Sequence, residues 1–195
     1  MATLDPQYDS SKFLLTAVNV MLSKIGERPI NDDVELADVL EAQLASQELI
    51  NTKKEVLSQG WDFNMDTNYS IPPDNTGYII IPANVLDLSS SDSDLIMRDW
   101  RLYSKSGQTA VFEEPKAVNI IWDLDFNSLT HPIRNYITLL ASAKFIESQV
   151  MDTDVYKAAV QDAEDARIIA RKSEGFTGGY NMLTSGNFGL TNVIS

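Results

Sequence analysis

The sequence predicts an α+β protein: a helical bundle of about four helices with an inserted antiparallel β-sheet and an extended C-terminal tail. Three observations carry this expectation. Apolar residues recur at helical spacing before residue 60 and after residue 130, short β-type runs lie between them, and the last 21 residues carry five of the nine glycines and no charge. The boundaries fall at 1–60 for the first part of the bundle, 61–129 for the insertion, 130–174 for the second part and 175–195 for the arm.

Leu14, Val18, Met21, Leu22 and Ile25 line one face of a first helix that opens at Ser10 or Ser11, and Gly26 and Pro29 stop it. A second, long helix begins near Asn31 to Asp33, whose side chains suit an N-cap, and runs to Gln59 before Gly60. Leu36, Leu40, Leu44, Leu49, Val56 and Leu57 mark its apolar side; Gln47, Glu48, Lys53, Lys54 and Glu55 mark a solvated or partner-facing side. From Trp61 the runs WDFNM, YIIIP, DLIM, RLY, TAVF and AVNIIW alternate with Pro, Gly, Asn and Ser-Asp breaks, and read as an antiparallel meander. Thr130, His131 and Pro132 open a further helix, Pro being tolerated in a first turn. Its apolar residues, Ile133, Tyr136, Ile137, Leu140, Ala141, Phe145 and Ile146, cover more than one face, so it is expected at the centre. Asp152 or Asp154 caps the last helix, where Tyr156, Ala159, Val160, Ala163 and Ala170 form a narrow packing stripe and Gly175 is the expected stop.

The 195 residues carry 15 Lys/Arg against 28 Asp/Glu, a formal net charge of −13. A broad basic surface for nucleic acid is therefore disfavoured. Residues 61–130 hold 4 of the cations and 11 of the acids, which makes the insertion an acidic module. With no cysteine and one histidine, the chain has no disulfide framework, thiolate nucleophile or multi-histidine metal site. The N-terminal MATLDPQYDSSK lacks the apolar core of a secretory signal, and no apolar run reaches the roughly 18 residues that span a bilayer, so no membrane partner is expected. Walker, G-x-G-x-x-G, G-x-S-x-G and H-E-x-x-H motifs are absent, and no cofactor is implied.

Four carboxylate pairs could in principle serve as acid and base: Asp92 with Asp94, Glu113 with Glu114, Asp123 with Asp125, and Asp152 with Asp154. Turn and cap positions explain the first and last without catalysis, and none follows the calcium-loop spacing of an EF-hand. His131 at a helix start has no evident nucleophile and reads as a capping or interface residue. Trp61, Trp100, Trp122, Tyr78 and Tyr103 could stack sugars, but aromatics on strands usually form core or cross-strand pairs. Phe176, Tyr180, Met182, Leu183 and Phe188 punctuate a glycine-rich tail too poor in apolar area to fold alone. Such a tail either reaches along a neighbouring subunit or folds back on its own helices.

Several strings, in order, resemble one known family: AVN at Ala17, Val18 and Asn19 with Leu22, Ile25, Gly26, Glu27 and Pro29; Gly60, Trp61, Phe63 and Asn64; Val118, Asn119, Ile120 and Ile121; Arg134 to Ile137 with Phe145; and GGYNML at Gly178 to Leu183. The chain resembles the tail tubular protein A family, the head-to-tail adaptors or gatekeepers of short-tailed bacteriophages of the autographivirus type. The segments between Asn68 and Gln108 and after Leu183 depart from the family pattern. The resemblance implies a structural protein of the phage tail, assembled in the host cytoplasm. It implies a twelve-subunit ring between the portal protein and the nozzle (tail tubular protein B), which helps attach the tail fibre protein and lets genome DNA pass without specific binding. Expected partner-binding residues are Phe176, Gly178, Gly179, Tyr180, Asn181, Met182 and Leu183 in the arm, with Trp100 and Tyr103 in the insertion. A tail-associated polysaccharide hydrolase, or a carbohydrate-binding protein using Trp100 and Tyr103, is the alternative.

Overall fold

The computed structural model describes residues 12–149 and 152–177, without the side chains of 175–177. Five α-helices are present among them: α1 (Lys12–Lys24), α2 (Asp33–Asp38), α3 (Leu40–Leu57), α4 (His131–Gln149) and α5 (Thr153–Thr177). Between α3 and α4 lie β1 (Met65–Ile71), β2 (Val85–Ser89), β3 (Leu95–Arg98), β4 (Arg101–Ser104) and β5 (Lys116–Trp122), with 3₁₀ turns at Asp62–Asn64 and Phe126–Ser128.

The helical halves form one bundle around α4, which packs on α1, α3 and α5. Residues on several faces of α4 are buried, from Ile133 and Tyr136 to Phe145 and Ile146, as a central helix requires. Helix α5 approaches α4 through Ala159, Ala163, Ala166 and Ala170, small side chains that allow close packing. Val160, expected in this stripe, points outward and is 43% exposed. Asp152 caps α5 by accepting from the Asp154 and Val155 backbone N–H groups, and the helix continues through Gly175 to Thr177 instead of stopping at the glycine.

The expected long second helix is two helices. Asp32 accepts from the Val34 and Glu35 N–H groups to start α2, but Val39 turns to an extended conformation (φ −94°, ψ 118°) that ends α2 and begins α3. Val39 and Leu36 pack against the bundle core there, and the Gln43 side chain donates to the Ala37 carbonyl, which the break would otherwise leave orphaned. Because the break resets the helical phase, Ala42, Ala45, Leu49, Val56 and Leu57 face the core. Leu40 and Leu44, expected to be buried, are 61% and 44% exposed. Gly26 and Gly60 have φ of +81° and +71°, the left-handed backbone that ends α1 and α3 cheaply.

The insertion is antiparallel but not a meander. Strand β5 lies between β1 and β2, so the last strand of the module is central, and β3 and β4 form a separate hairpin. Its sequence KAVNIIW has apolar residues on both faces: Val118 and Ile120 enter the module core with Ile79, Ile81, Val85, Leu102 and Phe112. A strand so apolar belongs in the middle of a sheet, where both faces and both edges are covered. The runs YIIIP and TAVF supply isolated bridges instead of full strands: Tyr78 pairs with Val111, Ile80 with Arg101, and Thr109 with Ser104.

Module and bundle meet at a neck of two strands. Met65 at the start of β1 pairs with Ile121 near the end of β5. Buried Asn64 accepts from the Trp61 N–H at 2.8 Å and donates to the carbonyls of Leu57 (3.0 Å) and Trp122 (2.9 Å), tying both crossings to α3. Lys53 adds an ion pair to Asp123 at 2.6 Å and a hydrogen bond to the Leu124 carbonyl.

Candidate functional site

Five of the carboxylates that the sequence offered as acid–base pairs, Asp92, Asp94, Asp123, Asp125 and Asp152, have structural roles. Asp94 accepts from the Ser104 hydroxyl and the Ser106 N–H, each at 2.5 Å, while Asp92 accepts from the Asp94 N–H. The Ser104 hydroxyl, then the Ser106 N–H, hold the Asp94 carboxyl below its ordinary value of 3.8. Asp123 is the partner of Lys53, Asp125 caps the second 3₁₀ turn, and Asp152 caps α5. Among the described residues no three His, Asp or Glu side chains converge as a metal site would require. No helix among them is long and apolar enough to cross a membrane.

The aromatic residues do not form one platform. Trp61 is buried in the bundle, donates Nε1–H to the Val56 carbonyl, and lies between Phe63 and Tyr136, each 6.2 Å away. The Arg171 guanidinium of α5 sits 3.7 Å from its ring centre. Trp122 packs edge-on against Tyr69 and donates to Asp66. Trp100, 52% exposed, is apart from these at the tip of the β3–β4 hairpin.

What the fold does assemble is a set of outward apolar faces. On α2, Val34 is 67% exposed, and on α3 Leu40 and Leu44 are 61% and 44% exposed. On α5, Ile168 and Ile169 are 44% and 57% exposed on a helix otherwise rich in both charges. The third face belongs to the β module. Pairing of Ile96 with Tyr103, Arg98 with Arg101 and Ile80 with Arg101 puts these residues on one side of the sheet, opposite buried Leu102, Ile79 and Ile81. There Arg98 stacks 4.0 Å from the Tyr103 ring centre and Arg101 4.2 Å from that of Tyr78, with exposed Ile80 and Val111 beside them. Tyrosine, tryptophan and arginine held in this way are the side chains that dominate binding energy when a partner encloses them.

The tip itself is strained. Asp99 and Trp100 form the two-residue loop with φ of +50° and +58°, a turn that normally takes Asn-Gly or Asp-Gly. A bulky aromatic there costs about 1–3 kcal/mol, and such strain is found where function retains it. The Trp100 carbonyl accepts from the Ile81 N–H at 2.9 Å, which fixes the tip against the neighbouring segment.

Of the residues expected to bind partners, Tyr103 shares one face of the module with Arg98, Arg101, Ile80 and Tyr78, while Trp100 stands in the loop at the hairpin tip. Phe176 falls in the last turn of α5 and its side chain is not described. Gly178, Gly179, Tyr180, Asn181, Met182 and Leu183 lie outside the described residues. Sequence reasoning missed the two arginines, although they are two of only four cations in residues 61–130, and it assigned Leu40 and Leu44 inward.

The end of α5 is docked on the neck. Glu174 accepts from the Asp62 N–H at 2.6 Å, and Arg171 donates to Gln59 at 3.1 Å while covering Trp61. The helix that leads to the C-terminal segment therefore touches both bundle and module.

The sequence model of the tail tubular protein family matches residues 15–180, from α1 through α5 and into the segment beyond. The tail tubular protein A of Klebsiella phage KP34 is 28% identical over 152 residues, which span 77% of this chain and 80% of that protein. With a family match over most of its length, the chain belongs to the tail tubular protein family, structural components of bacteriophage tails.

Proposed function

We propose that this chain is a ring-forming head-to-tail adaptor, which joins the portal to the tail nozzle protein, helps attach tail fibres and leaves a channel for DNA. The observation that carries the reading is the presence of apolar side chains on three separate outward faces: Leu40 and Leu44 on α3, Ile168 and Ile169 on α5, and Ile80 and Val111 on the module. An adaptor subunit meets two neighbours and at least two further proteins, and a ring uses different patches on its two sides. A hydrolase requires convergent titratable groups in a cleft, whereas Asp92, Asp94, Asp125 and Asp152 accept hydrogen bonds from nearby backbone or hydroxyl groups. The net charge of −13 suits a channel that DNA must cross without adhering, since carboxylates repel phosphate.

The part of the expected arm, residues 175–195, that lies beyond the end of α5 at Thr177 is proposed to order against the portal or a neighbouring subunit, with Tyr180 as its aromatic anchor. Light scattering and negative-stain microscopy of the purified chain with and without its cognate portal ring test the whole reading. A ring stacked coaxially on the portal is expected. A chain that stays monomeric beside the portal overturns the adaptor role, and normal assembly after deletion of residues 176–195 overturns the arm.

A further inference from the structure

The outward face of the hairpin and the outward face of α2–α3 have opposite character. The first carries Arg98 and Arg101 spread over Tyr103 and Tyr78, two cations against Asp99 on the same surface and Asp74 near Arg101, with Ile80 56% and Val111 49% exposed around them. The second carries Val34, Leu40 and Leu44 in a stretch, residues 31–52, that contains six acids and no Lys or Arg. Helix α5 offers no such match, because Lys157, Arg167, Arg171 and Lys172 are interspersed with its acids.

From this complementarity we infer that the β3–β4 hairpin face of one copy docks on the α2–α3 face of the next, and so forms the contact that propagates the ring. This rests on the ring reading above. The face of the β3–β4 hairpin, with residues 78–81 bridged along β4, meeting a helix is an ordinary layer packing, with aliphatic residues from both sides at its centre. Around that centre, Arg98 and Arg101 meet Asp33 and Asp38, both exposed and neither used as the α2 cap, which is Asp32. The contact is heterologous: each copy uses its hairpin toward one neighbour and its helices toward the other. Trp100 at the strained tip adds an exposed aromatic at the end of the hairpin. Stacking on tyrosine holds each guanidinium in place and limits the side-chain entropy lost on docking.

The test uses two full-length chains with reversed charges, Arg98→Glu with Arg101→Glu and Asp33→Lys with Asp38→Lys, each incubated with the cognate portal ring and counted by negative-stain microscopy. Alone, each sets like charge against like charge between neighbours; each contact is expected to weaken at least about 10-fold, roughly 1.4 kcal/mol, and closed rings, which need every contact, to be lost. Mixed in equal amounts, the two alternate around the ring with every contact opposite in charge, and assembly returns. Circular dichroism of each variant alone establishes that it is folded. The chain contains no cysteine, so Ile80→Cys with Leu40→Cys gives an independent readout. Mild oxidation of that double variant is expected to produce a ladder of disulfide-linked multimers, with no ladder from either single substitution. Normal rings from either reversed chain alone, a mixture that stays unassembled, or rings without a ladder overturn this contact and leave the ring reading standing. Failure of the unsubstituted chain to form any ring overturns both.

Discussion

In the bundle, residues from all five described helices and both 3₁₀ turns share one apolar cluster, from Val18 and Met21 through Trp61 to Ala170. In the β module seven buried residues form the core, with Ile71, Leu88, Leu95 and Trp122 packed against it, and side chains that close turns add to the strand ladders. Asp74 accepts from Thr76 and Tyr78, Asp94 holds Ser104 and Ser106, and Asn119 accepts from the Asn68 N–H at a bulge in β1. All four positive-φ residues other than glycine found among the described residues, Asn68, Asp99, Trp100 and Gln108, are in the module. The difference separates two tasks. A shared core makes a scaffold that yields as a unit, whereas turn-defined strands allow surface residues to be held in costly conformations without loosening the scaffold.

The strongest challenge to that division is Trp61→Ala, which removes the largest fully buried side chain and is expected to cost about 3–5 kcal/mol of global stability by denaturant titration. A cost below about 1 kcal/mol would mean that the bundle core does not depend on it. Leu102→Ala should cost about 2–5 kcal/mol, and hydrogen exchange should show the loss in residues 65–122 while α4 keeps its protection. Equal loss in α4 would erase the division. Asn64→Ala strands the Trp61 N–H and two carbonyls at the neck, with an expected cost of about 2 kcal/mol and calorimetric separation of module melting from bundle melting. Trp100→Gly converts the tip to Asp-Gly and should raise module stability by about 1 kcal/mol while weakening assembly, so thermal melting and ring formation move in opposite directions.

The smallest effect is that of acid. The folded protein holds Asp94 and Asp74 below the ordinary value of 3.8, through the Ser104 and Thr76 hydroxyls first. The unfolded chain therefore takes up protons before the folded one as pH falls. Stability from these groups is complete above the ordinary value and is lost as pH drops through the lowered folded values. Thermal midpoints of the module recorded from about pH 5 down to about pH 3 should decline, and less steeply in Asp94→Asn with Asp74→Asn.

Much of the scaffold was legible because its signals are local. Helical periodicity, Pro132 in a first turn, the Asp152 cap, and Gly26 and Gly60 at helix ends each act within a few residues. The break at Val39 was not legible, since no Gly or Pro marks it and the cause is packing of Leu36 and Val39 on a distant core. That hidden break also reversed Leu40 and Leu44, and with them the character of a whole surface. The central place of β5 depends on pairing with β1 across some fifty residues, which no local pattern records. Trp100 and Tyr103 stood out as aromatics, but the union of Tyr103 with Arg98, Arg101, Ile80 and Tyr78 depends on register, and Asp-Trp at the tip carries no turn signal.

The pairing of Met65 with Ile121 means that the chain leaves the bundle and returns to it at adjacent points. A segment bracketed in this way can lengthen, shorten or be replaced wholesale without shifting the helices on either side, because the gap it must close stays one strand spacing wide. Exchange of this cassette between related genomes would alter what the subunit presents to its surroundings and leave its frame intact. The same property makes the neck a natural splice point for grafting foreign β modules onto the bundle.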